Sequence, residues 1–196
     1  MFCRNTKIFI PGIPKCGSTA IDRYFACFGA IEESQHTSVE IGVKNFVDSK
    51  SEMIRYKILV TRDPIDRFQS IYEEFLKPDQ FKFLKYHDHP MTVDAQKALD
   101  DFEYFFELTN KIDHIHWRSV YENANFANID YHVISLQNLN NGLNKYNREV
   151  MQIRHEFNIR PYNVSKKKAE PPKSLRKKIS DRYKLDQMIL ESIGDT

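Results

Sequence analysis

Lys7-Ile8-Phe9-Ile10-Pro11 runs straight into Gly12-Ile13-Pro14-Lys15-Cys16-Gly17-Ser18-Thr19, and the junction between the two decides the fold. A short apolar run that ends at Pro and Gly reads as a buried strand entering a loop. From Ser18 the apolar residues Ile21, Tyr24, Phe25 and Phe28 recur at three and four residues and stop at Gly29, so a helix starts where the loop ends. In a strand, glycine loop, helix order, the glycines let backbone N–H groups converge on one point. The helix terminus adds positive potential there, worth up to about 2 kcal/mol to a bound anion. Two glycines, a lysine and two hydroxyls at that point make a phosphate-binding loop.

The same unit recurs downstream. Tyr56-Lys57-Ile58-Leu59-Val60-Thr61 reads as a second buried strand, and Asp63 and Pro64 suit the N-cap and first position of a helix whose core face is Ile65, Phe68, Tyr72 and Phe75. Thr92 is placed to cap a helix running to about Asn110, and Tyr131 to Ser135 is a third strand candidate. Residues 137–147 are rich in Asn and carry no clear period. Ser174 to Ile193 reads as one terminal helix with Leu175, Ile179, Tyr183 and Met188 near one face. Short buried strands alternating with helices predict an α/β fold. Its central sheet is mainly parallel and flanked by helices, and the site lies at the strands' carboxyl ends. The loop departs from a Walker A sequence, which needs Lys directly after the second Gly; here Ser18 stands there and the lysine lies inside the loop at Lys15.

Composition bounds the rest. The 196 residues suit a single domain over 1–196, and 41% hydrophobic with 13% aromatic residues is enough to fill a core. A net charge of +2 excludes a nonspecific nucleic-acid coat, so any anion site is local. Charge does cluster between Lys166 and Lys184, where nine Lys and Arg face only Glu170 and Asp181; this is either a solvated helix face or a segment that meets an anion. No window reaches the roughly 18 apolar residues of a membrane span, and Met1 to Pro11 has no secretory core. Cys3, Cys16 and Cys27 lack both disulfide and zinc spacing. The expected setting is a reducing cytoplasm without membrane or nucleic-acid partners.

Two segments together resemble a known family. Pro14-Lys15-Cys16-Gly17-Ser18-Thr19 is similar to the 5′-phosphosulfate loop of the sulfotransferases that use 3′-phosphoadenosine 5′-phosphosulfate (PAPS). Arg62-Asp63-Pro64-Ile65-Asp66-Arg67-Phe68-Gln69-Ser70 is similar to their 3′-phosphate segment, in which an Arg at a strand end and a Ser eight residues on bind one phosphate. Asp113 to Trp117, Tyr131 to Leu139, Asn163 to Ser165 and Tyr183 to Asp186 resemble the membrane-type carbohydrate branch, although Gln137 stands where that branch often has Glu.

The resemblance implies a P-loop-like sulfotransferase domain transferring a sulfuryl group from PAPS to a hydroxyl of a small molecule or glycan, with no metal required. It assigns Lys15 to the bridging and leaving oxygens, and Pro14, Cys16, Gly17, Ser18 and Thr19 to the 5′-phosphosulfate. Arg62 and Ser70 fall to the 3′-phosphate, and Lys166, Lys167 and Lys168 to a segment closing over the nucleotide. Deprotonating the acceptor calls for a base, and His36, between the first helix and the second strand, is the candidate, with Glu33 and Glu40 as rivals. His87-Asp88-His89 and His114-Ile115-His116 have a spacing that a strand can present to a metal, but no third ligand follows at fixed spacing. Two other readings remain open. One is a P-loop kinase, disfavoured by Ser18 and by Arg62, which follows the strand where an acidic metal ligand would help. The other is a nucleotide-binding module without turnover.

Overall fold

In the computed structural model, which describes residues 1–27, 39, 42–75, 95–161 and 170–194, four strands form one sheet in the order β1-β2-β3-β4. Strand β2 (Ile8–Phe9) and strand β3 (Tyr56–Thr61) pair in parallel, with Ile8 opposite Tyr56. Strand β3 and strand β4 (His132–Ser135) are also parallel, from Ile58 opposite His132 to Thr61 opposite Ser135. The mainly parallel α/β sheet expected from the sequence is therefore present. Strand β1 (Phe2–Cys3) was not foreseen: it folds back antiparallel on β2, with Phe2 opposite Phe9, through a turn in which Lys7 has φ 57°. Two residues are too few to show the alternation by which strands are recognised.

Side chains alternate across the sheet, and each face is covered by helices. Ile8, Ile58, Val60 and Ile134 pack with Ile21 and Phe25 of α1 (Ser18–Ala26). Phe9 and Leu59 pack on the opposite face with Phe46 of α2 (Val43–Ser49). A third cluster lies mostly between helices and includes Trp117 of the turn before Ser119. Phe68, Ile71, Tyr72 and Phe75 of α3 (Pro64–Phe75) meet α5 (Phe102–Lys111), preceded by α4 (Ala95–Asp100), and α8 (Lys173–Arg182). The start of α3 is as expected: Asp63 Oδ1 accepts the amide of Asp66 at 2.9 Å, and Pro64 occupies the first turn, where its missing N–H costs nothing.

Two long helices expected from periodicity are each divided. Asp101 splits the first, because its carboxylate accepts the amides of Glu103 at 2.9 Å and Tyr104 at 3.0 Å and so caps α5. Tyr183 splits the second into α8 and α9 (Lys184–Ser192): its backbone leaves helical geometry at φ −103°, ψ 30°, and its buried hydroxyl donates to the Trp117 carbonyl at 2.7 Å. The break shifts the phase of α9, so Met188 is 54% exposed and Ile189 takes the buried position.

The Asn-rich stretch is a helix, α7 (Leu139–Tyr146), continued by one π turn to Met151, and it follows α6 (Val120–Asn123) and β4 in the chain. Asn140, Asn144 and Asn147 lie on one face and each holds an extended neighbour by both ends of its amide. The Asn140 and Asn144 amides exchange bonds with the backbones of Ile159 and Phe157 at 2.7 to 3.1 Å, and Asn147 does the same with Ile153.

Candidate functional site

The loop between β2 and α1 is held in an unusual backbone shape. Lys15 has φ 65° and Gly17 has φ 78°, so two residues of six sit in the left-handed region, which non-glycine residues occupy at a cost of roughly 1 kcal/mol or more. Gly17 has a second reason to be glycine. A Cβ built there would lie 2.5 Å from Leu136 Cδ1, in the turn that follows β4. The backbone thus turns at Gly17 just before Ser18 and Thr19 open α1, whose first amides have no partner within the helix.

Two successive loop carbonyls are each held by an arginine. Arg62, at the end of β3, donates from Nη1 to the Lys15 carbonyl at 3.3 Å. Arg67 donates from Nε to the Pro14 carbonyl at 3.2 Å. The two segments singled out in the sequence, 47 residues apart, are therefore in contact. Ser70 is half-buried on α3, three residues after Arg67 and four before Glu74, which places all three on one helical face along the loop. Glu74 closes that face: its Oε2 accepts from Lys15 Nζ at 2.9 Å. Cys16 is turned inward. Its side chain packs in the cluster around Phe9 and Leu59, its amide donates to the Ile13 carbonyl at 3.3 Å, and burial pushes its thiol up to about 11 against the opposing pull of Arg67.

Arg67 was missed by the sequence reading and is the hub of the site. Only 1% exposed, it also donates from Nη2 to the carbonyls of His116 at 3.1 Å and Arg118 at 2.8 Å. Its Nη1 lies 3.9 Å from Asp186 Oδ2, and its guanidinium lies over the Tyr183 ring at 5.8 Å. Asp186 in turn accepts the amides of Val120 at 2.8 Å and Tyr121 at 2.9 Å at the start of α6. Desolvation raises the Asp186 carboxyl above its ordinary range, with Arg67 as the strongest opposing influence. The segments 62–70, 113–117 and 183–186, noted separately in the sequence, thus meet around one guanidinium. The available signal was the helical spacing of Arg67 to Ser70.

Other candidates divide by position. His36, Glu33, Glu40, His87, His89, Lys166, Lys167 and Lys168 lie outside the described residues. His114 and His116 hydrogen-bond to each other through Nδ1 at 3.1 Å with stacked rings, next to the buried Trp117. Among the described residues no group of three or more His, Cys, Asp or Glu side chains is arranged to hold a metal, and no helix is long and apolar enough to cross a membrane. The basic helix α8 spends part of its charge locally: Lys178 pairs with Glu103 at 2.6 Å, and Arg182 donates to Thr109 Oγ1 at 2.7 Å. Arg160 and Pro161, delivered by the Asn-held segment, line an open groove against Ala20, Arg23 and Tyr24 of α1.

The β2–α1 loop thus meets Arg62 and Arg67 through its carbonyls and Glu74 through the Lys15 ammonium, and the model of the Sulfotransferase family matches residues 1–193. The chain belongs to the sulfotransferase family. Its activity class is sulfuryl transfer, which requires an acceptor bearing a hydroxyl. Neither a curated protein nor a solved structure matches this chain.

Proposed function

We propose that this sulfotransferase uses PAPS as donor and a carbohydrate hydroxyl as acceptor. The observation that carries the donor reading is the contact of Arg62 with the Lys15 carbonyl at 3.3 Å, because it puts the two phosphate-reading segments side by side. The residues fit the donor. Gly17 leaves no room for a Cβ at the N-terminus of α1, and the Ser18 and Thr19 amides that open this helix are assigned to the 5′-phosphosulfate. Arg62 and Ser70 are assigned to the 3′-phosphate, a guanidinium being suited to charge-assisted bonds with phosphate oxygens. PAPS supplies the activated sulfuryl group.

Lys15 is assigned to stabilise negative charge on the leaving phosphate oxygen, the point where a fixed cation lowers the barrier most. His36 is proposed to take the acceptor's proton, with Glu33 and Glu40 as the alternatives. The carbohydrate acceptor rests on the resemblance of Asp113 to Trp117, Tyr131 to Leu139, Asn163 to Ser165 and Tyr183 to Asp186 to that branch of the family. The cations of residues 166–168 are proposed to close over the nucleotide.

The test is thermal melting with adenosine 3′,5′-bisphosphate and no metal. At 100 times its dissociation constant the expected stabilisation is about 2.7 kcal/mol. ATP is expected to shift the melt less, Ser70→Ala to reduce the bisphosphate shift while sparing that of adenosine 5′-phosphosulfate, and Arg62→Ala, which also releases the Lys15 carbonyl, to reduce the bisphosphate shift more than that of adenosine 5′-phosphosulfate. An equal shift with ATP, or a strict Mg²⁺ requirement, favours the kinase reading instead. Labelled PAPS offered to a panel of glycans tests the acceptor.

A further inference from the structure

Lys15 does not extend into open solvent: its ammonium donates to Glu74 Oε2 at 2.9 Å, across 59 residues of sequence. Both side chains are half-buried, at 19% and 28% exposure, so the pair is more than a solvated surface contact. The backbone of Lys15 is fixed at φ 65° by the Arg62 bond to its own carbonyl and the Arg67 bond to that of Pro14. What is left to move is the four-carbon stem. Glu74 is fixed too, because Phe75 and Tyr72 beside it on α3 are buried in the helical core.

We propose that Glu74 is a positioning residue that holds the Lys15 ammonium and competes for it with the donor's 5′-phosphosulfate, so that donor binding moves the lysine from carboxylate to ligand. The proposal rests on the reading of Lys15 as a donor ligand. Its physical content is a balance of charges. With Glu74 ionised, the loop presents a neutral pair and not a bare cation, which weakens attraction for every anion. An anion with two or more charges at the head of α1 outcompetes one carboxylate; a singly charged one does not. Glu74 therefore sets a threshold of charge for capture of Lys15 and draws the lysine back as the product nucleotide leaves. Ser70, one turn before Glu74 on the same face, places this exchange next to the residue assigned to the 3′-phosphate.

The experiment compares wild type, Glu74→Gln and Glu74→Asp, using adenosine 3′,5′-bisphosphate in isothermal titration and PAPS turnover with a verified acceptor. Glu74→Gln keeps the size and removes the charge. Its dissociation constant for the bisphosphate is expected to fall about three- to fivefold, the upper part of the range for an ion pair no longer broken. Its kcat is expected to fall as product is held longer. Glu74→Asp keeps the charge, and the flexible lysine follows it, so affinity stays within about twofold of wild type. A carboxylate that served only to brace the fold gives the opposite result, with weaker nucleotide binding and a lower melting temperature in Glu74→Gln. Unchanged or weaker binding in folded Glu74→Gln overturns the proposal. If wild type itself fails to bind the bisphosphate, the donor reading falls first, and this proposal with it.

Discussion

Replacing Arg67 by Met tests whether the loop is held from behind. The substitution keeps a long apolar stem and removes the guanidinium. In the folded protein it leaves three backbone carbonyls, those of Pro14, His116 and Arg118, without their shared donor, and leaves Asp186 buried without a counter-charge. Removing one member of a buried ion pair costs about 3–5 kcal/mol. Asp186 keeps its two amide bonds from Val120 and Tyr121, which holds the loss within that range although three carbonyl bonds go as well. At about 2–4 °C per kcal/mol for a domain of this size, the melting temperature should drop by roughly 6 to 20 °C.

The sign of the pH dependence gives a sharper test. The Asp186 carboxyl is raised in the folded state, so the native protein binds that proton more readily than the unfolded chain does, and the group favours folding less as pH rises through the window above about 4. Arg67 is the strongest influence holding the carboxyl down, so its removal widens the window upward. The deficit of Arg67→Met against wild type should therefore be largest near pH 7 and shrink as pH falls towards 4.5. It should not vanish, because the three carbonyl bonds do not titrate. Urea unfolding of both proteins at four pH values reads this directly. A deficit below about 1 kcal/mol, or one that stays constant across the range, refutes the account of Arg67 as the charged hub.

Gly17→Ala should cost about 1–2 kcal/mol for its φ of 78° alone, with the 2.5 Å approach to Leu136 added. Pairing it with Leu136→Ala should leave the φ cost in place while relieving the clash, so bisphosphate binding, followed by calorimetry, should recover only in part. Cys16, with its thiol pushed up to about 11 and its side chain buried, should resist iodoacetamide at pH 7.5 in the native protein, whereas the exposed Cys27 should be alkylated; mass spectrometry of the peptides distinguishes them. Rapid native labelling of Cys16 would mean that the loop opens.

What the sequence showed of this fold depended on whether a residue acts within its own element or between elements. Strand β3 and the start of α3 were legible to the residue, because the apolar run Tyr56 to Thr61 and the Asp63-Pro64 start signal are local rules. The division at Tyr183 was not, since it follows from a hydroxyl reaching Trp117, 66 residues away in the chain. Arg67 hid for a related reason: an arginine two positions after Ile65 and one before Phe68 reads as the solvated side of an amphipathic helix, and only the approach of three other segments buries it. The Asn-rich stretch 137–147 received no assignment: Asn140, Asn144 and Asn147 have spacings of four and three, which is a helical face, yet Asn is a weak helix former because its amide competes for backbone bonds. Here the amides do bond backbone, but that of residues 153–159 and not of their own helix, so the residue type that argued against a helix is what ties the next segment to it. That segment carries Arg160 to the side of α1, so the placement of this cation depends on three uncharged amides 13 to 20 residues earlier in the chain.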